Sequence, residues 1–301
     1  MQDKEQEVVC VTGSTGFVGR HIAHELCSRG LKVRCMVRST SDLTPPVGLE
    51  IETCRADVTD ITSLEKALQN VGTVVHLVAI IRETKDATFE AVNLVGTKNL
   101  LNAAKRMGVK RFIYMSNLGA GPDRRFPLLY TKWRAEEEVR NSGIDFVILR
   151  PSVIFGRGDG FVSVLAGIIK RTPVVPVIGS GKPRFQVISV EDVAACVAQS
   201  VKEETITNQA VPLGGPEYLS YEEIVDLTID RLKLRRRKAH IPVPLMHLVA
   251  WTGEKLGIRL PVTAAQVAML AKDNITSLDV VERLFHFKPL SLRERIDAIL
   301  H

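Results

Sequence analysis

The sequence predicts an α/β fold in which a doubly wound parallel sheet is followed by a smaller mixed α/β lobe. The first half alternates short β-branched runs with longer segments of helical period, which is typical of βαβ units. A glycine-rich turn joins the first of these runs to the first helical segment. After Arg150-Pro151 the alternation weakens, because prolines interrupt the periodic pattern.

Taken in chain order, the β-branched runs predict strands at residues 8–11, 32–37, 50–55, 73–77, 111–115 and 145–149. The segments between them predict helices at 18–28, 62–70, 88–107 and 131–141. Further helices are predicted at 190–201 and 221–232. We therefore expect residues 1–156 to form the sheet domain and 188–201 to pack back on it. Residues 157–187 and 202–301 then form the smaller lobe.

Composition narrows the class of protein. The chain has 301 residues, of which 45% are hydrophobic and 25% charged, and this excludes disordered and fibrous classes. Its cysteines are odd in number, form no C-x-x-C pair and mostly lie in apolar runs: Cys10, Cys27, Cys35, Cys54 and Cys196. Such cysteines behave as small hydrophobes, which indicates a reducing compartment and argues against a structural zinc. We expect no metal site.

Localisation signals are weak. Residues 1–7 are polar and acidic, and no stretch reaches the length of an apolar membrane span. We therefore expect a cytoplasmic protein. The net charge of +6 is modest, so we expect a solvated surface and no nucleic acid partner.

One basic cluster stands apart, Arg235-Arg236-Arg237-Lys238, and an apolar segment at 241–256 that contains Trp251 follows it. This pattern is compatible with contact to an acidic partner protein or with a peripheral position on an anionic membrane. The alternative is a solvated charge run beside a buried helix.

The first βα turn is the strongest functional signal. It reads Thr12-Gly13-Ser14-Thr15-Gly16-Phe17-Val18-Gly19, with a buried strand before it and a helix after it. Gly13 permits the tight turn, Gly16 lets the backbone approach a pyrophosphate, and Gly19 lets the helix pack closely on the strand. Exposed N–H groups and the helix dipole then meet the phosphate charge. The turn predicts a Rossmann dinucleotide site formed by residues 13–19.

The end of the second strand bears on which dinucleotide binds. It reads Arg38-Ser39-Thr40, and no acid appears between Gly30 and Asp42. An acid here would bind the ribose hydroxyls of NAD, whereas an arginine accepts the extra phosphate of NADP. We therefore predict that Arg38 and Ser39 contact NADP(H), with NAD(H) as the alternative. Arg38 could also be a plain surface arginine.

Residues after the third and fourth strands are further candidates. Asp57 and Val58 can lie near the adenine, although Asp57 can equally be a turn aspartate that caps the next helix. Val78 and Ala79 lie where the fourth strand ends, and their small side chains leave room for the ribose. His76 is interpreted as a structural histidine.

Together these residues resemble the atypical and extended branch of the short-chain dehydrogenase/reductase superfamily. The similarity covers most of residues 8–200. Besides the glycine turn it is carried by Ala56-Asp57-Val58-Thr59-Asp60, Val75-His76-Leu77-Val78-Ala79, Val92-Asn93-Leu94-Val95-Gly96-Thr97, Ser116, 150–156 and 187–194. The resemblance implies further cofactor contacts at Asn93, Ser116, Lys132, Pro151 and Val153.

The carboxyl-terminal part is similar to a narrower group. Its matching segments are Ile241-Pro242-Val243-Pro244, 260–270 and Lys272-Asp273-Asn274. They resemble bacterial relatives of the short-chain-dehydrogenase-like accessory subunit of respiratory complex I. That group holds NADPH and is not known for catalysis, so the resemblance also implies a place in a protein complex.

Active members of the superfamily use a Tyr, a Lys four residues later on the same helical face, and a Ser at the end of the preceding strand. Ser116 and Lys132 match the Ser and the Lys, but Leu128 stands where the Tyr belongs. Tyr130 lies only two residues from Lys132, and such residues point about 200° apart on a helix. Pairing Tyr130 with Arg134 instead supplies no equivalent partner, because a guanidinium does not deprotonate.

Two functions remain open from the sequence. Leu128 favours a weakly catalytic or noncatalytic NADP(H)-binding protein that uses its cofactor structurally or for redox sensing. Ser116, Lys132 and the glycine-rich loop at 156–160 favour an active NADPH-dependent reductase, dehydrogenase or epimerase instead. Its small-molecule substrate would be a carbonyl compound, a sterol or a nucleotide sugar.

Overall fold

The computed structural model describes residues 7–38, 51–203, 205–256, 258 and 260–300. The strands are β1 (Val8–Thr12), β2 (Val33–Val37), β3 (Ile51–Arg55), β4 (Val71–His76), β5 (Arg111–Met115), β6 (Asp145–Pro151), β7 (Ile154–Phe155), β8 (Val174–Ile178), β9 (Arg184–Phe185), β10 (Ile188–Ser189), β11 (Gln209–Leu213), β12 (Leu219–Ser220) and β13 (Arg237–Ile241). The α-helices are α1 (Phe17–Ser28), α2 (Ile61–Ala67), α3 (Gly96–Arg106), α4 (Pro127–Arg140), α5 (Val162–Arg171), α6 (Val190–Lys202), α7 (Tyr221–Arg231), α8 (Val243–Lys255), α9 (Ala264–Leu270), α10 (Val280–Phe285) and α11 (Leu292–Leu300). A π-helical segment, Glu90–Val95, runs directly into α3.

The main sheet has seven strands in the order β11-β6-β5-β4-β1-β2-β3. The five strand pairs from β6 across to β3 are all parallel. All six residues of β4 are buried, as expected of a central strand covered by helices on both faces. The predicted doubly wound α/β fold is confirmed. Parallel strands bring their carboxyl ends to one edge, where ligands bind in such sheets.

The seventh strand, β11, was not predicted. It contains Pro212, which cannot donate a backbone hydrogen bond, and so its sequence reads as a turn. Proline is tolerated because β11 lies at an edge of the sheet. A second difference is that α4 begins at Pro127, earlier than the predicted residue 131. Proline suits the first turn of a helix, and Leu128 and Tyr130 therefore both lie on α4.

The chain forms two compact units. The first comprises Met1–Asp123, Leu128–Arg150 and Val193–Val211, and its core is built from side chains of the main sheet and its helices, such as Leu100, Phe112 and Ile148. The predicted limits of the two domains at residues 156 and 157 stay a prediction.

The second unit comprises Arg124–Pro127, Pro151–Asp192 and Pro212–His301. It contains three two-stranded sheets, β10-β7, β12-β9 and β13-β8, and a core of its own that includes Phe155, Leu165 and Ile224. Capping boxes at Ser220 and Thr263 begin α7 and α9. The predicted smaller mixed α/β lobe is confirmed. No helix in the described part of the chain is long and apolar enough to cross a bilayer.

Candidate functional site

A cavity of about 350 Å³ lies where β1, β2, β3 and β4 end. It is lined by the residues that follow these four strands and by part of the segment before α3: Thr12, Gly13, Thr15, Gly16, Met36, Val37, Arg38, Ala56, Asp57, Val58, Thr59, Leu77, Val78, Ala79, Ile80, Asp86, Ala87 and Val92. All of them belong to the first unit. The structure thus brings Gly13, Thr15, Gly16, Arg38, Asp57, Val58, Val78 and Ala79 together around one cavity. Their contacts with a cofactor stay a prediction.

Two of the glycines occupy positions where a side chain would be strained or would clash. Gly13 has a φ of +69°, and a Cβ there would lie 3.2 Å from the Val78 nitrogen. A Cβ on Gly19 would lie 2.2 Å from the Gly13 carbonyl oxygen, closer than real Cβ contacts come. The turn therefore needs Gly13 for its left-handed backbone and Gly19 for the close approach of α1.

The beginning of α1 can accept an anion. Gly16 is its N-cap and supplies no side-chain hydrogen bond, and the first turn of α1 contains no acidic residue. Backbone N–H groups that no side chain caps, together with the helix dipole, favour a phosphate at this end. Thr15 and Gly16 line the cavity here, so the shape and the charge of this edge fit the pyrophosphate of a dinucleotide.

The remaining turn residues support this geometry. Ser14 is buried, and its hydroxyl donates to the Met36 carbonyl oxygen at 3.4 Å, which ties the turn to β2. Phe17 begins α1 and places its ring 5.5 Å from the His21 ring. Val18 is half-buried in the first turn of the helix.

Arg38 is exposed and lines the cavity directly after β2. Among the described residues that line the cavity, the charged ones are Arg38, Asp57 and Asp86. An arginine at this position can form charge-assisted hydrogen bonds with a phosphate. The other residue predicted beside it, Ser39, lies outside the described residues.

Asp57 lines the cavity, but it does not cap the next helix, which was the alternative that its sequence position left open. Its Oδ1 accepts hydrogen bonds from the Thr59 nitrogen at 2.9 Å and the Thr59 hydroxyl at 2.7 Å. The N-cap of α2 is Asp60, whose carboxylate accepts from Thr62 and Ser63. Asp57 therefore shapes the turn before the helix and leaves the capping to Asp60. Val58 is buried and lines the same cavity.

A buried hydrogen-bond chain lies beneath the end of β4. The Thr97 hydroxyl donates to the Asn93 carbonyl oxygen at 2.7 Å, so it accepts from Nε2 of His76, 3.0 Å away. The Thr12 hydroxyl then donates to Nδ1 of His76 at 2.7 Å. Burial lowers the pKa of His76 to about 3, which keeps the ring neutral. This geometry fits the structural role expected of His76.

Asn93 holds the backbone of a residue that lines the cavity. It is fully buried, and its side-chain Oδ1 accepts from the Ile80 nitrogen at 2.8 Å while its Nδ2 donates to the Ile80 carbonyl at 3.2 Å. Ile80 itself lines the cavity. Within the described contacts, Asn93 therefore acts on the backbone that borders the site.

The candidate catalytic Ser116 and Lys132 are both buried, and both are engaged by protein groups. The Ser116 hydroxyl donates to Oε1 of Glu136 at 2.5 Å. The Lys132 amine donates to the Met115 carbonyl at 2.5 Å and lies 4.5 Å from the centre of the Tyr114 ring. Burial lowers the pKa of Lys132 to about 7, and the nearby Glu136 carboxylate opposes part of this effect.

Glu136 is the residue that sequence reasoning missed. It is fully buried, and its two carboxylate oxygens accept from the Arg150 guanidinium, from Arg140 at 3.0 Å and from Ser116. The hydrogen bond and the charge of Glu136 raise the pKa of Arg150. A signal for Glu136 existed, because it follows Lys132 by four residues and so shares its helical face.

The faces of α4 agree with the spacing argument. Leu128, Lys132 and Glu136 are all among its buried residues. Tyr130 is only half-buried, with its ring 5.9 Å from that of Trp133. The guanidinium of Arg134 lies 5.9 Å from the centre of the Tyr130 ring and also forms an ion pair with Glu90 at 2.8 Å. The buried position one turn before Lys132 is thus held by an aliphatic side chain.

Other predicted residues belong to the second unit. Pro151 is buried at the end of β6, and Val153 packs against the core of the second unit. The glycine-rich loop at 156–160 is held by Asp159, whose carboxylate accepts from the backbone nitrogens of Gly156, Phe161 and Ser163. The Asp159 carboxylate therefore ties this loop to the beginning of α5. Roles for Pro151 and Val153 toward a cofactor stay predictions.

Comparison with known proteins agrees with this site. A family model described as NAD(P)H-binding matches residues 13–204. NADH dehydrogenase 1 alpha subcomplex subunit 9 of Arabidopsis thaliana mitochondria is 26% identical over 296 residues, which cover 95% of this chain and 74% of that protein. The chloroplastic divinyl chlorophyllide a 8-vinyl-reductase of the same plant is 29% identical over 259 residues, covering 80% of this chain and 61% of that one.

A solved structure shares the fold over the whole length. The crystal structure of gox2253 superposes with a TM-score of 0.79 at 25% sequence identity and covers 98% of this chain and 97% of its own. The predicted resemblance is confirmed, both to the superfamily and to the complex I subunits. The chain belongs to the NAD(P)H-binding family within the atypical short-chain dehydrogenase/reductase superfamily.

Proposed function

We propose that this chain binds NADP(H) and is weakly catalytic or noncatalytic, so that the cofactor serves as a structural or redox-sensing element. The buried face of α4 carries the proposal. On it Leu128 occupies the place of the proton donor, and Glu136 holds the hydroxyl that would orient a carbonyl. NADPH supplies a hydride when it is bound, but the proton that must accompany it has no donor at this position.

The preference for the phosphorylated cofactor rests on Arg38. Its exposed guanidinium lines the cavity after β2, where the 2′-phosphate of NADP would lie in a Rossmann site. The carboxylates of Asp57 and Asp86 line the same cavity, and Asp57 is already hydrogen-bonded to Thr59. Arg38 is therefore the side chain best suited to meet an additional phosphate.

Ser116 would have to change partner before it could act on a substrate. Its hydroxyl proton is donated to a carboxylate oxygen inside a cluster that also contains Arg140 and Arg150. A hydroxyl that donates to Glu136 cannot donate to a substrate carbonyl at the same time. The ribose contact predicted for Lys132 stays a prediction, and the amine is engaged by Met115.

An active NADPH-dependent reductase, dehydrogenase or epimerase is the second candidate. The retained Ser116 and Lys132 favour it, and so does the likeness to a protein named as a reductase. Its substrate would be a small carbonyl compound, a sterol or a nucleotide sugar. It would need a proton donor other than a phenol at position 128.

The relatives in NADH dehydrogenase support a place in a protein assembly. The basic cluster at 235–238 offers less charge to a partner than its sequence suggests. Lys238 forms ion pairs with Glu222 at 2.6 Å and Asp226 at 2.8 Å, and Arg236 donates to the Ile169 carbonyl. Carboxylates therefore offset the charge of Lys238, Arg236 is half-buried, and Arg235 and Arg237 are exposed.

Equilibrium titration of the purified chain with NADPH and NADH tests the cofactor proposal, and we expect tighter binding of NADPH. Oxidation of NADPH with panels of ketones, aldehydes, sterols and nucleotide sugars tests the catalytic one, and we expect rates barely above background. Equal affinities for the two cofactors would refute the preference. Robust turnover of any substrate would replace the binding function with the enzymatic one.

A further inference from the structure

The helix α8 turns most of its large apolar side chains toward solvent. Of its thirteen residues, only Ala250 and Gly253 are buried. The exposed apolar side chains on α8 and just after it are Leu245, Leu248, Val249, Trp251, Leu256 and Ile258, with exposed fractions from 44% to 75%. A contiguous apolar surface of this kind marks a site of association with a protein or a membrane.

The exposed side chains form one face. With about 100° between successive residues, Trp251, Lys255, Leu248, Leu245, Leu256 and Val249 fall within an arc of about 160°. Ala250 and Gly253, with the half-buried Met246, lie on the opposite side, toward the core of the second unit. We call the set Leu245, Leu248, Val249, Trp251, Lys255 and Leu256 the α8 face.

The α8 face carries a positive charge and no negative one. Lys255 lies within it, with its amine 5.9 Å from the Trp251 ring. The one acid among residues 243–258 is Glu254, which falls beside the core-facing side. Its Oε1 accepts a hydrogen bond from the Ala264 nitrogen at 3.0 Å, at the beginning of α9.

We propose that the α8 face docks on a lipid surface that contains anionic headgroups. An amphipathic helix lies in the interface with its aliphatic side chains among the acyl chains, while Trp and Lys sit at the headgroup level. Arg235 and Arg237, which precede α8 in the same unit, are also exposed and add to its positive charge.

Lipid is favoured over a second copy of the chain by the charge of this face. A symmetric pair through the α8 face would place two Lys255 side chains in an apolar interface, and the face offers no carboxylate to pair with them. Lipid phosphates supply the missing negative charge. This inference does not depend on the proposed cofactor function.

The test is cosedimentation of the full chain with phosphatidylcholine vesicles that contain or lack phosphatidylglycerol, at physiological salt. We expect binding to the anionic vesicles and weaker binding to the neutral ones. The double variant Leu248→Glu, Trp251→Glu should lower the bound fraction roughly tenfold. The matched control is Leu278→Glu, which alters an exposed leucine of the second unit outside α8 and should bind like the wild type.

Trp251 gives a second readout, because the chain has only two tryptophans. Its fluorescence should shift to shorter wavelength when anionic vesicles are added, and Trp251→Phe should keep most of the binding but lose the shift. Circular dichroism and urea unfolding of each variant verify that it is folded. The proposal fails if the chain binds no vesicle, or if Leu278→Glu loses as much binding as the double variant. If lipid binding is absent and the double variant abolishes a dimer, the α8 face binds a second copy of the chain instead.

Discussion

The hydroxyl of Ser116 donates a 2.5 Å hydrogen bond to the buried carboxylate of Glu136. The same carboxylate accepts from two arginines, Arg140 and Arg150. A side chain that the superfamily uses in catalysis thus forms part of a closed ionic cluster that links α4 to the ends of β5 and β6. This relationship predicts that the cluster contributes measurably to the stability of the fold.

Replacing Glu136 with Gln should destabilise the protein by about 1.5–3 kcal/mol, because the hydrogen bonds from Arg140 and Arg150 lose their buried, charged acceptor. The matched control is Glu137→Gln, since Glu137 is the next acid on α4 and also pairs with Arg140 but is 46% exposed. That change should cost less than about 1 kcal/mol. Urea unfolding of both variants measures the difference. If the two variants lose the same free energy of unfolding, the cluster does not stabilise the fold as proposed.

Replacing Arg38 with Ala should remove about 1.5–3 kcal/mol of NADPH binding free energy and leave NADH binding nearly unchanged, because one charge-assisted contact to the extra phosphate is lost. The control is Arg106→Ala, which removes an exposed arginine that pairs with Glu65 away from the cavity. Isothermal titration with both cofactors is the measurement. A parallel loss for NADPH and NADH would show that Arg38 does not read the phosphate.

Restoring a phenol with Leu128→Tyr should raise NADPH oxidation above the wild type, by part of the roughly 10²–10⁴-fold that a positioned general acid contributes. The gain should be partial because Ser116 remains bound to Glu136. Leu128→Phe has the same ring without the hydroxyl and should show no gain. Tyr130→Phe should leave the wild-type rate unchanged. Steady-state assays on the substrate panel measure these rates. A large loss of rate in Tyr130→Phe would mean that Tyr130 is the proton donor.

The buried amine of Lys132 predicts a pH dependence. Its pKa falls from 10.5 to about 7 in the folded state, so between these values the unfolded chain binds more protons at this site. The free energy of unfolding should therefore rise between about pH 7 and about pH 10, relative to that of Lys132→Met. The rise should be up to about 1.4 kcal/mol per pH unit. Below about pH 7 both states are protonated and the difference becomes constant.

Denaturation at a series of pH values compares the wild type with Lys132→Met and with Lys98→Met, in which the replaced side chain is 55% exposed. The Lys98 variant should follow the wild type. Parallel curves for the wild type and the Lys132 variant would show that the amine is not held in a buried site. Titration of both variants with NADPH also tests the predicted ribose contact, which requires weaker binding in Lys132→Met alone.

Two glycine substitutions should have opposite effects. Gly19→Ala places a Cβ 2.2 Å from the Gly13 carbonyl oxygen, so it should destabilise the chain by about 1–3 kcal/mol and weaken NADPH binding. Gly167→Ala, in the interior of α5, meets nothing within 4 Å and should stabilise by about 0.4–1 kcal/mol. Urea unfolding measures whether each variant is less or more stable than the wild type. An unperturbed Gly19→Ala protein would mean that α1 does not pack on the turn as described.

Much of the first unit follows from local sequence alone. Strand and helix periods, together with the glycines of the turn at residues 13–19, determine the order of the elements, because each is a property of a few neighbouring residues. The gathering of Gly13, Arg38, Asp57 and Val78 at one cavity follows as well, since parallel strands end at the same edge. Helical spacing alone is enough to predict that no phenol lies one turn before Lys132.

Other features depend on residues that are distant in the chain. Glu136 reads as an ordinary helical acid until folding buries it against Arg150 and Ser116, which lie 14 and 20 positions away. Desolvation of Lys132 likewise exists only in the packed structure. The sequence of the apolar segment at 241–256 favours a buried helix slightly over one at the surface. Tertiary packing decides this, because only the small Ala250 and Gly253 are buried, and Leu248 and Trp251 are left facing solvent.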